Sequence, residues 1–336
     1  MSTHLLPEVD CLHIDPAATA RTIESAIRET VLSRLKRKGV VVGLSGGIDS
    51  SVVAALCVNA LGKEHVMGLF MPERECSEEA LGLGLVLAES LQIRAAIEDI
   101  TGILSASGCY HRRDDAIREL VPDFDSTHKC KLVMPEFATG ARYSVPSLIV
   151  ENAAGACRKI RLNAHVYLQV VAASNFKQRV RKMLEYYHAD CLQYAVAGTP
   201  NRLEFDQGFF VKNGDGAADL KPIAHLYKSQ VYQLADYLDL PQEIRDRPST
   251  TDTFSMPQSQ EEFYFSLPLR TFDYCLYGKN HGLAPDVVAG MTDLTAQQVE
   301  DVFAAIDARR VATAYLHQPP VLVEPVAEIS HRPNEH

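Results

Sequence analysis

The sequence predicts an α/β protein with a doubly wound parallel sheet that is flanked by helices, and three observations support this. Short apolar runs alternate with helical patterns through the first hundred residues. Each helical pattern is long enough to form the crossover that joins two parallel strands. The chain has 336 residues, of which 46% are hydrophobic and 23% are charged, as is usual for a folded globular protein.

The predicted elements follow one another in the order helix, strand, helix, strand. A helix is predicted over 15–37, where an Asp-Pro pair is a favourable start and apolar residues recur every four positions. The unbroken apolar run Val40–Leu44 predicts a strand that is buried on both faces. The elements that follow are a helix over Val52–Leu61, a strand over Val66–Phe70, a helix over Ser77–Leu91 and a strand over Ile93–Ile100.

The pattern weakens between Thr101 and about Ala173, which predicts an insertion or subdomain within a single domain that spans residues 1–336. Three basic clusters in this stretch, at 111–113, 128–131 and 158–161, either form a solvated surface or contact an anionic substrate. The remaining elements are a polar helix over Asn175–His188, a strand over Tyr194–Ala197, a helix over Lys228–Leu238, a loop over Arg247–Gln260 and a helix over Ala296–Leu316.

Composition and charge exclude several classes of protein. Lys plus Arg number 33 and Asp plus Glu number 43, so the net charge of −10 argues against binding to duplex nucleic acid. No apolar run approaches the roughly 20 residues of a membrane helix, and the first ten residues lack the pattern of a signal peptide. The eight cysteines form no C-x-x-C pair, which disfavours a zinc ribbon or a redox dithiol. A cytoplasmic enzyme is therefore expected.

The segment 45–51, Ser-Gly-Gly-Ile-Asp-Ser-Ser, carries the clearest chemical signal. Two glycines let the backbone approach an anion closely, and the helix that follows adds the partial positive charge of its N-terminus. A carboxylate beside bound phosphate needs a cation between them, so Asp49 is predicted to bind Mg²⁺. A glycine-rich turn without a ligand is the alternative. The spacing of the motif differs from that of the P-loop of NTPases.

This loop resembles the pyrophosphate loop of the N-type ATP pyrophosphatases, which include NAD, GMP, argininosuccinate and asparagine synthetases and tRNA-modifying enzymes. Further blocks select one branch of that superfamily. Segments 198–204, 208–219 and 226–231 match the patterns G-T-x-x-x-x-E, G-[FY]-F-[TV]-K-x-G-D-G-x-A-D and L-x-K-x-Q of NAD synthetases. Segment 175–181 matches their N-x-[KQ]-x-R-x-R helix. The chain is therefore similar to the ammonia-dependent NAD synthetase family.

The resemblance implies an adenine nucleotide alpha hydrolase-like fold and a ligase activity. Members use ATP and Mg²⁺ to convert the carboxylate of nicotinic acid adenine dinucleotide to an acyl adenylate, which ammonia then attacks to give NAD, AMP and pyrophosphate. It also implies a homodimer, free ammonia or a separate glutaminase as the nitrogen source, and neither a nucleic-acid nor a membrane partner. Two alternatives remain open: a related adenylating amide ligase for a different carboxylate, and a non-catalytic ATP-binding paralogue.

The resemblance also implies roles for individual residues. ATP binding is expected at Leu44, Ser45, Gly46, Gly47, Ile48, Asp49, Ser50, Ser51, Thr199 and Lys228. Binding of the dinucleotide is expected at Asn175, Arg179, Arg181, Lys212, Asp215 and Asp219. Asp49 and Glu204 are expected to share Mg²⁺. The expected catalytic residues are Asp49, Lys228, Asp219 and Asp215, with one of the last two taking a proton from ammonium.

Alternatives stay open for two of these sets. An exposed amphipathic face is the alternative for the helix over 175–188, and turn formation is the alternative for the aspartates of 208–219. The chain also departs from the family at three places. The stretch 101–173 is longer than the usual connection, and the segment from about 247 to 336 is divergent. Within the latter, the pattern H-K-R-x-x-P-P corresponds to 315–320, where Leu316 replaces a cation.

Overall fold

The computed structural model describes residues 10–133, 146–251, 253–324 and 326. Its helices and strands are α1 (Pro16–Arg28), β1 (Val40–Gly43), α2 (Ile48–Leu61), β2 (Val66–Phe70), α3 (Glu78–Ser90), β3 (Arg94–Ile97), α4 (Thr101–Ala106), α5 (Cys109–Arg118), β4 (Lys129–Val133), β5 (Ser147–Glu151), β6 (Cys157–Arg161), α6 (Ala164–Leu192), β7 (Ala195–Ala197), α7 (Arg202–Gln207), α8 (Lys228–Tyr237), α9 (Gln242–Arg245), α10 (Leu269–Asn280), α11 (Pro285–Ala289) and α12 (Ala296–Thr313). π-helical turns occur at Glu29–Arg34 and Glu261–Phe265.

A four-stranded parallel sheet in the order β3-β2-β1-β7 forms the centre of the fold. Successive residues of β1 face opposite sides of the sheet, as in any strand. Val40 and Val42 pack in the apolar cluster with α1, α2 and α8, whereas Val41 packs with α4, α5 and α6. Because helices cover both faces, the predicted doubly wound parallel sheet is confirmed. Strand β7, which ends before Thr199, pairs in parallel with β1, the strand that precedes the glycine-rich loop.

Most boundaries of the sheet core agree with the prediction, and α6 is the main exception. The helix predicted over 175–188 begins at residue 164, where the side chain of Asn163 accepts a hydrogen bond from the Val166 backbone N–H at 2.9 Å. The first turns of α6 bury Val166 and Val170 against the antiparallel sheet β4-β5-β6 instead of the central sheet. Helix α6 therefore packs against two different sheets. Its first half does not show the apolar periodicity expected of a helix that packs against the central sheet alone.

The antiparallel sheet β4-β5-β6 lies within the stretch 101–173, where the sequence predicts an insertion. The basic clusters of this stretch separate by burial. Arg113 is buried and paired with Glu75, and Lys131 pairs with Glu262. Lys159 on β6 is exposed. Of the two alternatives for these clusters, a solvated surface therefore applies to Lys159, whereas Arg113 and Lys131 join parts of the fold.

The C-terminal helices α10, α11 and α12 form a further apolar cluster that includes Leu203 of α7. The stretch predicted as a loop over 247–260 contains no named helix or strand among its described residues up to 259, where Thr250 and Ser259 form an isolated antiparallel bridge, and a π-helical turn follows it. No helix in the described ranges is long and apolar enough to cross a membrane. All eight cysteines lie in these ranges, and none forms a disulfide.

Candidate active site

A cavity of about 570 Å³ opens at the carboxyl ends of β1 and β7, the edge where parallel sheets bind ligands. Its volume is in the range of small-molecule sites. Many predicted site residues line it, namely Leu44, Ser45, Gly47, Ile48, Asp49, Ser50, Asn175, Arg179, Arg181, Thr199, Glu204, Lys212 and Asp215. The fold therefore brings together segments that are far apart in the sequence.

The shape of the glycine-rich loop 45–51 depends on one position, 46, that only glycine can occupy. Gly46 has a φ of +71°, and a Cβ atom there would lie 2.2 Å from the Ala80 carbonyl oxygen. The hydroxyls of Ser50 and Ser51 both donate to the Gly47 carbonyl, at 3.0 and 2.9 Å. Ser51 is fully buried behind the loop, so its role in the structure is to hold the loop in shape.

The N-terminus of α2 faces the cavity without a side-chain cap. Gly47 occupies the N-cap position, and no side-chain hydrogen bond satisfies the first backbone N–H groups. These groups and the helix dipole create a positive potential next to Ser45 and Ser50. The local geometry is therefore suited to an anionic group such as a phosphate.

Asp49 in the first turn of α2 is held by two partners from distant segments. Lys228, the first residue of α8, places its ammonium against one carboxylate oxygen of Asp49. The Asn201 side-chain amide donates to the other oxygen at 3.1 Å. Lys228 is only 2% exposed. Burial acts to lower the pKa of Lys228, but the carboxylates of Asp49 and Glu204 outweigh it and raise that pKa, so the ammonium stays charged.

Glu204 lies beside this pair because α7 begins with a capping box. The Asn201 side chain accepts a hydrogen bond from the Glu204 backbone at 3.2 Å, and the Glu204 carboxylate accepts one from the Asn201 backbone at 3.1 Å. The Gln260 side chain donates to the other oxygen of Glu204 at 2.9 Å. Burial and the nearby charge of Asp49 raise the pKa of Glu204 to about 8.

The chemistry of these donors fits a magnesium ion. Mg²⁺ in nucleotide-binding enzymes takes one or two protein carboxylates and completes its coordination with phosphates and water. Asp49 and Glu204 supply two carboxylates on one cavity wall. A divalent cation would relieve the repulsion that raises the pKa of Glu204. Within the described residues there is no cluster of three or more metal-ligating side chains, so phosphate oxygens would be needed as well.

Helix α6 forms a long polar wall of the cavity. Asn175, Arg179 and Arg181 line it, together with Glu185, which sequence analysis did not select. At helical spacing, Lys182 is expected on the same face of α6 as Asn175 and Arg179, and Arg181 is expected on a different face. In the structure, Arg181 faces the cavity, whereas Lys182 is buried in an ion pair with Glu185 at 2.5 Å. The spacing of three residues between Lys182 and Glu185 in the sequence indicates such an ion pair within a helix.

The structure separates the two aspartates proposed as proton acceptors. Asp215 lines the cavity, accepts a hydrogen bond from the Val211 backbone N–H at 2.7 Å, and has a pKa that burial raises. Asp219 is not among the lining residues. Its carboxylate accepts hydrogen bonds from the Val196 backbone N–H at 2.7 Å and the Tyr186 hydroxyl at 3.3 Å. This placement gives Asp219 a role in holding the segment after β7.

The C-terminal segment covers one side of the cavity. Tyr315 and Leu316 line it, and the Lys212 ammonium donates to the carbonyls of Tyr315 and Gln318 at 2.6 and 2.9 Å. The Arg179 guanidinium donates to the Lys212 carbonyl at 3.3 Å. Lys212 therefore links the C-terminal segment to α6, near Leu316.

A buried ionic cluster braces the cavity from behind. The Lys177 ammonium is 1% exposed and contacts Glu73 at 2.9 Å, Glu75 at 2.7 Å and the Thr253 carbonyl at 2.9 Å. Arg113 from α5 also pairs with Glu75, at 2.7 Å. The cluster thus joins α5, α6, the segment after β2 and the loop after α9. No local sequence pattern marks this cluster, because its members lie far apart in the chain.

A family model described as NAD synthase matches residues 19–122 and 148–312. The matched stretches contain the glycine-rich loop, α6 and the segment from β7 to α8. The unmatched stretch between them, 123–147, is shorter than the predicted insertion.

Individual proteins match over nearly the whole chain. An NH₃-dependent NAD⁺ synthetase of Rhizobium rhizogenes is 52% identical, over 97% of this chain and 98% of its own. Another of Mesorhizobium japonicum is 55% identical, over 94% of this chain and 99% of its own. The solved structure of an NH₃-dependent NAD synthetase from Campylobacter jejuni superposes with a TM-score of 0.61 at 24% identity, covering 93% of this chain and 100% of its own. The structural likeness shows a shared fold.

Proposed function

The chain belongs to the NAD synthase family, and from this membership we propose that it amidates nicotinic acid adenine dinucleotide to NAD with ATP and ammonia. The observation that carries the proposal is the meeting of three features at one cavity. These are the uncapped N-terminus of α2, the buried pair of Asp49 and Lys228 with Glu204 beside it, and the polar wall of α6. The first two suit a nucleoside triphosphate, and the third suits an anionic dinucleotide.

The reaction needs activation because a carboxylate has no good leaving group. A carboxylate oxygen of the dinucleotide attacks the α-phosphorus of ATP, and the bond from this phosphorus to the bridging oxygen breaks with its electron pair leaving on pyrophosphate. Ammonia then attacks the acyl carbon. The acyl–oxygen bond breaks, and AMP leaves with the oxygen that came from the carboxylate.

The residues of this chain position the substrates and neutralise charge, which is the usual protein contribution to phosphoryl and nucleotidyl transfer. The backbone N–H groups at the start of α2 and the hydroxyls of Ser45 and Ser50 would hold phosphate oxygens. Thr199, at the end of β7, would contact the nucleotide from the neighbouring strand. Asp49 and Glu204 would hold Mg²⁺, which neutralises phosphate charge when bound. Lys228 fixes the orientation of Asp49.

The acceptor end of the site lies along α6 and the segment 208–219. Asn175, Arg179, Arg181 and Lys212 would contact the dinucleotide, whose phosphates carry negative charge. Ammonium must lose a proton before it can attack the acyl carbon. Asp215 is the proposed acceptor of that proton because this residue lines the cavity and burial raises its pKa.

The proposal extends to the setting of the reaction. We place it in the cytoplasm, with free ammonia or a separate glutaminase as the nitrogen source. Two copies are proposed to form a homodimer, and the exposed apolar side chains of Leu168, Met183 and Tyr187 on α6 support such a contact. Sedimentation velocity tests the dimer: Met183→Glu should shift the protein toward monomer, and a wild-type monomer at all concentrations would contradict it.

One assay separates the proposal from its alternatives. Purified protein is incubated with ATP, Mg²⁺, ammonium chloride and nicotinic acid adenine dinucleotide, and the products are quantified by chromatography. Formation of NAD and AMP in equal amounts is expected. A different amide ligase would release AMP only with another acid, and a non-catalytic paralogue would bind ATP without releasing pyrophosphate. Either of these results would overturn the proposed activity.

A further inference from the structure

Arg247 brings a cation to the glycine-rich loop that sequence analysis did not select. Its guanidinium Nη1 donates to the Gly46 carbonyl at 3.2 Å. Arg247 lines the cavity together with Ser45, Gly47 and Ser50 of the loop. Among the cations that line the cavity in the described ranges, Arg247 is the one with a hydrogen bond to this loop.

The local sequence explains why Arg247 is aimed at the loop. Ile244 of the short helix α9 is fully buried in the apolar cluster that contains α2, so α9 is fixed against the helix whose N-terminus faces the cavity. Helix α9 ends at Arg245, and because the residue before a proline avoids the helical conformation, Pro248 prevents Arg247 from continuing it. The segment that follows is held by hydrogen bonds from the Gln260 backbone to the Ser249 carbonyl at 3.0 Å and between the Tyr232 and Ser249 hydroxyls at 3.3 Å.

The charge balance near the loop explains what such a cation would do. Asp49 and Glu204 carry two negative charges when ionised, and Lys228 offsets one of them through its contact with Asp49. Further along the cavity, the ammonium of Lys182 is paired with Glu185. Arg247 differs from these because its hydrogen bond in the described structure goes to a neutral carbonyl. Its charge therefore remains available to an anion on the loop.

We propose that Arg247 binds the β- and γ-phosphates of ATP and stabilises pyrophosphate as it leaves. The assignment rests on the use of ATP in the proposed function. When the bond between the α-phosphorus and the bridging oxygen breaks, the electron pair and the new negative charge move to pyrophosphate, beside the guanidinium. A planar guanidinium donates two parallel hydrogen bonds to phosphate oxygens, which an ammonium cannot do.

Calorimetric titration with two nucleotides tests this assignment. The probes are α,β-methylene-ATP with Mg²⁺ and AMP, which lacks the β- and γ-phosphates. Arg247→Gln should weaken binding of the ATP analogue about 10- to 100-fold, the size expected for a charged hydrogen bond, and leave binding of AMP unchanged. Arg247→Lys should give an intermediate loss. Thermal melting of each variant checks that the fold is retained.

Arg245→Gln is the matched control, because Arg245 lies two residues away and pairs with Asp236 outside the cavity. It should bind both nucleotides as the wild type does. If Arg247→Gln weakens the binding of both nucleotides equally, or weakens the binding of neither, the assignment is overturned. The proposed function stands in that case, provided that the wild-type protein binds the ATP analogue. Wild-type protein that binds neither nucleotide would overturn the proposed function and the assignment together.

Discussion

The side chains of Asp49 and Lys228 contact each other although 179 positions separate them in the chain. The contact joins the N-terminus of α2 to the N-terminus of α8, so the helix that begins at the glycine-rich loop and the helix that begins at Lys228 depend on each other for orientation. The pair lies where we place ATP and Mg²⁺.

The first prediction concerns this pair. Asp49→Asn removes a metal ligand and leaves the buried ammonium of Lys228 without its charged partner, so release of pyrophosphate should fall at least about 100-fold. Lys228→Met should cause a loss of similar size. A coupled pyrophosphatase assay measures both. The control is Asp236→Asn, which changes an exposed carboxylate of α8 and should leave the rate unaltered. Undiminished turnover in Asp49→Asn would contradict its proposed role.

The second prediction separates the two aspartates that follow β7. Asp215→Asn should lower kcat about 100-fold or more at saturating ATP and dinucleotide, because proton removal by a placed group contributes a factor of that order. Asp219→Asn should leave kcat nearly unchanged and lower the melting temperature, since its carboxylate binds backbone and Tyr186. Rates are measured over a titration of ammonium chloride. The reverse pattern would transfer the proton-accepting role to Asp219.

The third prediction concerns the ionic cluster around Lys177. Lys177→Met leaves the buried carboxylates of Glu73 and Glu75 without one of their cations, and such a change costs about 3–5 kcal/mol of unfolding free energy. Urea unfolding measures the loss. Lys159→Met, on the exposed surface of β6, is the control and should change stability little. Equal effects of the two substitutions would show that the cluster does not stabilise the fold.

The fourth prediction is a pH dependence that Glu75 causes. Burial acts to raise the pKa of Glu75, but the hydrogen bond from Arg113 and the charge of Lys177 outweigh it and lower that pKa from 4.5 to about 2. Between these two pKa values the unfolded chain binds more protons than the folded protein. The contribution of Glu75 to the free energy of unfolding is therefore complete above pH 4.5 and is lost as the pH falls toward 2. At pH 3.5 about 1–2 kcal/mol of this contribution to the free energy of unfolding should be lost.

Urea unfolding at pH 6 and at pH 3.5 tests this dependence. The difference in stability between wild type and Glu75→Gln should be smaller at pH 3.5 by that amount. Glu119→Gln, which changes an exposed carboxylate, should show no such narrowing. A constant difference between wild type and Glu75→Gln across the two pH values would refute the lowered pKa.

The central sheet and the ATP end of the site were predictable because each depends on contiguous sequence. The apolar run at β1 and the glycine-rich loop that follows it are local patterns, and parallel pairing brings Thr199 to the same edge. Contacts between distant segments that carry no recognisable motif were not predictable. Arg247 meets Gly46 across 201 positions, and Lys177 reaches Glu73 across 104. No local pattern encodes such a pairing, since it is set by how the loop after α9 and helix α6 pack in three dimensions.

The fate of one oxygen atom tests the proposed chemistry most directly. Nicotinic acid adenine dinucleotide is labelled with ¹⁸O in its nicotinate carboxylate and incubated with the protein, ATP, Mg²⁺ and ammonium chloride. Mass spectrometry of the products should find one ¹⁸O atom in the phosphate of AMP for each NAD formed, because the carboxylate oxygen attacks the α-phosphorus and leaves with AMP. NAD formed together with unlabelled AMP would contradict activation through an acyl adenylate.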